Sequence, residues 1–282
     1  MKINKVMNNN VISTFDDQGH EIIVVGTGVG FQGKEGKNID ETKIQKIFRL
    51  EDPKITNKMK ELLTDLPMEE LDVSTEIISH AKRSLGTELN ENIYVTLTDH
   101  IHFAIQRYED HMVFPNPMFR EVRLFYQKEF ELGEYALGMI KQRLGVSLPL
   151  DEAVSIALHI VSAEFDTRVK DTLKITDFLE DVMEKVKKYF KIEIEQDSLN
   201  YERFLTHLKF LSRKLFSSAQ MDDSNESVRE MIQQLCPEEY ACAEDIGEYI
   251  EKHYGKTMTP GEIAYLTMHI DRIRKNSEKK GV

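Results

Sequence analysis

The decamer Asp151-Glu152-Ala153-Val154-Ser155-Ile156-Ala157-Leu158-His159-Ile160 returns as Gly261-Glu262-Ile263-Ala264-Tyr265-Leu266-Thr267-Met268-His269-Ile270. Glu152 and Glu262 lie 110 residues apart, as do His159 and His269. Each copy sets an acid near a helix start and a histidine seven residues on, two turns later and on about the same face. Gly145 and Gly255 precede the two copies at the same offset of 110. Thr259-Pro260-Gly261-Glu262 reads as an N-cap, a proline at the first helical position and a glutamate three residues after the cap. Pro149 stands where the second copy has Thr259, so the first copy has the weaker cap.

Upstream of each copy is a second echo. Asp99-His100-Ile101-His102-Phe103 matches Thr206-His207-Leu208-Lys209-Phe210 at an offset of 107. Each repeat thus carries two histidines in the same order, His100 with His159 and His207 with His269. A period of about 110 residues is too long for a solenoid and describes a duplicated domain. A lone histidine on a mixed helix face is ordinarily a hydrogen-bonded packing residue. Four in duplicated positions point to shared chemistry, although preserved packing would also duplicate them.

The chain has 282 residues, enough for two or three domains. Ordinary apolar content and high charge describe a soluble globular protein. No run nears the roughly 20 apolar residues of a membrane span, and Met1-Lys2-Ile3-Asn4-Lys5 lacks the apolar core of a signal peptide. The only cysteines, Cys236 and Cys242, have neither zinc-knuckle nor redox spacing and read as inert thiols of a reducing cytoplasm. The net charge of −12 is unevenly spread. Residues 1–50 hold seven Lys/Arg against six Asp/Glu, and the rest holds 30 against 43. A phosphate backbone would be repelled everywhere except at the first fifty residues.

Those fifty residues read as strands: Lys2–Val6, Val11–Ser13, Glu21–Val25 and Ile44–Leu50, with turns at Asn8-Asn9-Asn10 and Asp17-Gln18-Gly19. Such a sheet buries little core alone, so pairing with a second copy is expected. Gly26-Thr27-Gly28-Val29-Gly30-Phe31-Gln32-Gly33 is a weak match to a nucleotide loop, because no helix follows and no Lys-Ser/Thr closes it. It suits RNA better. Glycines permit close backbone approach, and an exposed Phe or Asn can stack on or bond to unpaired bases. A plain bend with Phe31 in the core fits the pattern equally. Glu51–Lys54 reads as a turn and linker. Beyond it the periodicity is helical: 55–66, 74–85, 91–108, 119–144 and 151–165, then 172–191, 200–219, 226–235, 240–254 and 260–276. Each copy is then a bundle of about five helices, and the tail from Lys275 is polar.

Met1-Lys2-Ile3, Asn8-Asn9-Asn10, Gly26-Thr27-Gly28 and Phe31-Gln32 resemble the co-antiterminator RNA-binding domain of BglG/LicT-type transcriptional antiterminators. Asp99–Ile105, Asn116-Pro117 and the two Glu-x6-His stretches resemble that family's paired PTS regulation domains. The resemblance covers essentially the whole chain. It implies a small antiparallel β-sheet N-terminal domain followed by two duplicated all-α five-helix-bundle domains, divided as 1–55, 66–170 and 171–282. It also implies a homodimer that grips a hairpin in a leader mRNA and so prevents termination of a sugar-utilisation operon. By position the RNA contacts are Lys5, Asn10, Gly26, Thr27, Phe31 and Gln32. Some relatives place an arginine where this chain has Thr27, a departure that bears on one phosphate contact and on hairpin preference. The implied phosphoryl acceptors are His100, His159, His207 and His269. In this family a sugar-specific permease acts on the first pair to inactivate, and HPr acts on the second to activate. His102 and His111 read as bystanders.

Two other readings fit parts of the chain. His100-x-His102 with Glu152 and His159 could bind a metal for hydrolysis, but Lys209 replaces His102 in the second copy. A DNA-binding activator with the same regulatory domains would need a three-helix reader where this chain has strands. No catalytic constellation, cofactor motif or resident metal site is expected.

Overall fold

A computed structural model describes residues 1–50, 52–196, 198–216 and 226–278. The chain divides into two compact units, Met1–Asp166 and Thr167–Val282.

The first unit opens with four antiparallel strands in sequential order: β1 (Ile3–Asn8), β2 (Val11–Phe15), β3 (Glu21–Val25) and β4 (Lys46–Phe48). The β1–β2 turn is set by Asn8, whose Oδ1 accepts from Asn10 N–H at 2.8 Å. In the β2–β3 turn, Asp16 Oδ1 accepts from the N–H groups of Gln18 and His20, each at 2.9 Å. Those bonds, the His20 one foremost, hold the Asp16 carboxyl below its ordinary pKa.

Ile22, Ile23, Val24 and Val25 are all buried, so β3 is covered on both faces. On one face Ile22 and Val24 cluster with Ile3, Ile12, Val29 and Ile39. On the other, Val11, Ile23, Val25 and Phe48 pack with Leu50, Met59, Leu63, Leu66 and Leu71. Much of that second cover comes from α1 (Pro53–Leu62) and α2 (Met68–Leu85). The chain's own following segments therefore supply core to this face of the sheet.

Several helix starts, those of α1 and α2 among them, fall earlier than the periodicity indicates. Asp52 caps α1 by accepting from Lys54 N–H at 2.7 Å, with Pro53 at the first position, so Pro53 and Lys54 are helix and not linker. Glu51 lies outside the described residues. Helix α2 begins at Met68, with Glu69 and Glu70 in its positive first turn.

The remaining helices of the first unit are α3 (Ile93–Glu109), α4 (Phe119–Phe125), α5 (Gln127–Leu144) and α6 (Asp151–Glu164). The single helix expected over 119–144 is broken. Tyr126 leaves helical geometry at φ −134°, ψ 49°, which puts its ring fully in the core. The second unit contains α7 (Val169–Phe190), α8 (Leu199–Phe216), α9 (Glu226–Leu235), α10 (Pro237–Tyr254) and α11 (Pro260–Glu278). The expected 217–219 end of α8 and the tail beyond 278 lie outside the described residues. Gly145 and Gly255 close α5 and α10 in the left-handed conformation, at φ 73° and 63°. Among the described residues no helix is long and apolar enough to cross a membrane.

Candidate nucleic-acid loop and paired histidine sites

The glycine-rich segment folds back on the β1–β2 turn. Gly26 N–H donates to the Asn10 carbonyl and Gly30 N–H to the Asn9 carbonyl, each at 2.9 Å. Asn10 Oδ1 accepts from Gly28 N–H at 2.9 Å. A Cβ on Gly26 would collide with the Lys43 carbonyl, and Gly28 sits at φ +70°, so two glycines are required on different grounds. Held this way, Phe31 is 58% exposed. It is not in the core, so the reading of a plain bend with a buried Phe31 does not hold. Thr27 and Gln32 are exposed beside it and Gly26 is buried beneath. Lys5 is exposed on edge strand β1, opposite Ser13. Sequence reasoning missed Lys37 and Lys43. Their ammonium groups reach the carbonyls of Gln32 (3.3 Å) and Gly28 (3.4 Å), adding two cations to the loop.

The four histidines meet in two pairs, each within one unit. His100 on α3 and His159 on α6 have ring centroids 4.9 Å apart. His207 on α8 and His269 on α11 stack at 4.8 Å with planes 7° apart. His159 Nδ1 and His207 Nε2 are buried without a hydrogen-bond partner. Burial, reinforced by His100, pushes the His159 pKa down to about 3. Burial, reinforced by His269, does the same to His207, also to about 3. His269 is lowered by burial and by the charges of Arg272 and Arg203. These three rings are neutral at pH 7, which leaves a ring nitrogen lone pair able to attack phosphorus.

The carboxylates differ between the copies. Glu152 Oε2 lies 3.0 Å from His100 Nε2, close enough for attraction but out of line for a full hydrogen bond. Its Oε1 accepts from Arg107 Nη2 at 3.0 Å. Burial works to raise the Glu152 pKa, but His100 and Arg107 outweigh it and hold the carboxyl below its ordinary value. In the second copy the expected capping box forms. Glu262 Oε2 accepts from Thr259 N–H at 2.9 Å, and Thr259 Oγ1 from Glu262 N–H at 3.3 Å. Lys214 pairs with Glu262 Oε1 at 2.9 Å. Arg107 and Lys214 are 107 apart, the offset of His100 and His207; that spacing could have revealed them in the sequence.

His102 is occupied elsewhere, with Nδ1 2.7 Å from Glu70 Oε2. His111 is an exposed loop residue at φ 58°. Among the described residues one group brings three ligand atoms within 4.8 Å of one another: Cys236, Glu239 and Asp271. Arg274 and Lys275 already neutralise its carboxylates, at 3.0 and 2.8 Å. The histidines of the hydrolase reading form no such group.

The CAT RNA binding domain model matches residues 1–57, and the PRD domain model matches twice, at 75–163 and 180–273. The transcription antiterminator LicT of Bacillus subtilis is 44% identical over 98% of this chain and 100% of its own length. This chain belongs to the BglG/LicT family of transcriptional antiterminators. It carries an RNA-binding CAT domain and two PRD domains. The beta-glucoside operon antiterminator of Dickeya chrysanthemi is 36% identical over 99% of both chains. A crystal structure of GlcT CAT-PRDI is 34% identical and covers 58% of this chain and 97% of that one, with a TM-score of 0.50. These relatives are named as regulators, not enzymes.

Proposed function

We propose that this antiterminator binds a leader-mRNA hairpin through Lys5, Asn10, Gly26, Thr27, Phe31 and Gln32, and is switched by phosphorylation of His100, His159, His207 and His269. The observation that carries the RNA half is Phe31, exposed on a loop pinned by Asn10. The pairing of four duplicated histidines, three of them held neutral, supports the other half. In the transfer, a ring nitrogen lone pair forms the new N–P bond while the donor's N–P bond breaks. The broken bond's electron pair returns to the donor imidazole, so no oxidant or cofactor is needed. HPr donates to His207 and His269, which activates; a sugar-specific permease donates to His100 and His159, which silences. The modules are 1–55, 66–170 and 171–282; the active form is a homodimer in the cytoplasm and turns over no substrate of its own. The name of the Dickeya relative points to a β-glucoside operon as the target.

The RNA half is tested by titrating the full chain against a hairpin with internal loops and against a plain duplex of equal length. Asn10→Ala and Phe31→Ala should each weaken hairpin binding and leave duplex binding alone; equal affinity for both RNAs sinks this assignment. The switch half is tested with His207→Asp, His269→Asp in a readthrough reporter lacking HPr. The double variant should read through, whereas silence would reverse or remove the assigned polarity.

A further inference from the structure

The two histidine pairs look alike in sequence but sit in different electrostatic surroundings. Pro149 has no N–H, so Glu152 cannot close the capping box that Glu262 closes with Thr259. Glu152 instead lies against His100 at 3.0 Å, and the first copy's histidines carry a carboxylate. Arg107 beside it is already engaged by that carboxylate. In the second copy the carboxylate is tied to Thr259 and Lys214. Two further cations flank the rings: Arg203, one turn before His207 on α8, and Arg272, one turn after His269 on α11. Both are exposed, neither is in an ion pair with a described carboxylate, and both act on His269 through their charge. The duplication offsets put Thr96 and Ser162 at these positions in the first copy, and neither carries charge.

We infer that Arg203 and Arg272 form a phosphoryl clamp in the second copy, whereas Glu152 repels a phosphoryl group in the first, so one modification tightens one copy and loosens the other. A phosphoryl group brings about two negative charges and three acceptor oxygens. Guanidinium groups bind such a group with paired N–H donors. A carboxylate beside it has no favourable response except to move away. The inference rests on the histidines being phosphoryl acceptors, and it adds the residues that give each pair its sign.

The experiment uses the full chain and potassium phosphoramidate, which phosphorylates imidazole without a donor protein. Peptide mapping by mass spectrometry locates the phosphate, and amide hydrogen exchange reads each copy separately. Phosphorylation should slow exchange in α8 and α11 by about tenfold or more, the scale of one charge-assisted hydrogen bond. It should speed exchange in α3 and α6. Arg203→Gln, Arg272→Gln should abolish the slowing without altering the unmodified protein's exchange, and Arg203→Lys, Arg272→Lys should restore part of it. Glu152→Gln should abolish the acceleration. Phosphate on the histidines with unchanged exchange, or with changes that survive these variants, overturns the clamp and leaves the acceptor assignment standing. Absence of phosphate from all four histidines overturns both.

Discussion

His159 and His207 are neutral bases kept so by burial, and this fixes the pH response of both units. An unfolded histidine with the ordinary pKa of 6.5 takes up a proton that these rings refuse until about pH 3. The unfolded chain therefore binds more protons in that window. Stability from this source is full above pH 6.5 and falls as the pH drops from 6.5 towards 3. By pH 5 each histidine should withdraw roughly 1–2 kcal/mol. Thermal midpoints measured between pH 7.5 and 5 should decline, and His159→Gln with His207→Gln should flatten the curve; an unchanged slope would mean that neither ring is held neutral. At the same scale, Phe31→Ala removes an exposed ring and no core. Hairpin affinity should fall roughly five- to hundredfold, the scale of one lost base stack, with an unaltered thermal midpoint.

At the scale of elements, the capping box of α11 was legible because its residue types and spacing are local. Thr259→Ala should cost about 1 kcal/mol, read by calorimetry as a lower transition for the second unit. A cost near zero would mean that Lys214 alone holds Glu262. The strands, both hairpin turns and the duplicated helices were legible for the same reason: period and turn chemistry act within a few residues. The break at Tyr126 was not, because its ring leaves the helical path for a core built from distant segments. The start of α1 was misplaced although Asp52-Pro53 is a start signal, since a proline after an acidic pair also marks a turn. Within the candidate sites, the offset of 107 that paired His100 with His207 also pairs Arg107 with Lys214. The partition of Glu152 and Glu262 between a histidine and a cap depends on side-chain geometry, which spacing alone does not give.

At the scale of the first unit, the sheet and the first helices share one core. Val11, Ile23, Val25 and Phe48 meet Met59, Leu63, Leu66 and Leu71. Asn8 Nδ2 donates to the Leu63 carbonyl at 2.8 Å, and Lys46 pairs with Asp72 at 2.8 Å. Met59→Ala should therefore cost about 2–5 kcal/mol and depress RNA binding from outside the loop. Sheet and helix probes should melt together in the Met1–Asp166 unit; two separated transitions would show that the shared core does not couple them. That common core also bears on timing during synthesis. The last strand is complete at Phe48, but its apolar face waits for Leu71 to be made. At the usual pace of bacterial translation the wait is roughly one to five seconds. During it the newborn sheet has an unsheltered oily side, open to chaperones or to a neighbouring nascent chain. The RNA-binding module thus matures only once the start of α2 has emerged.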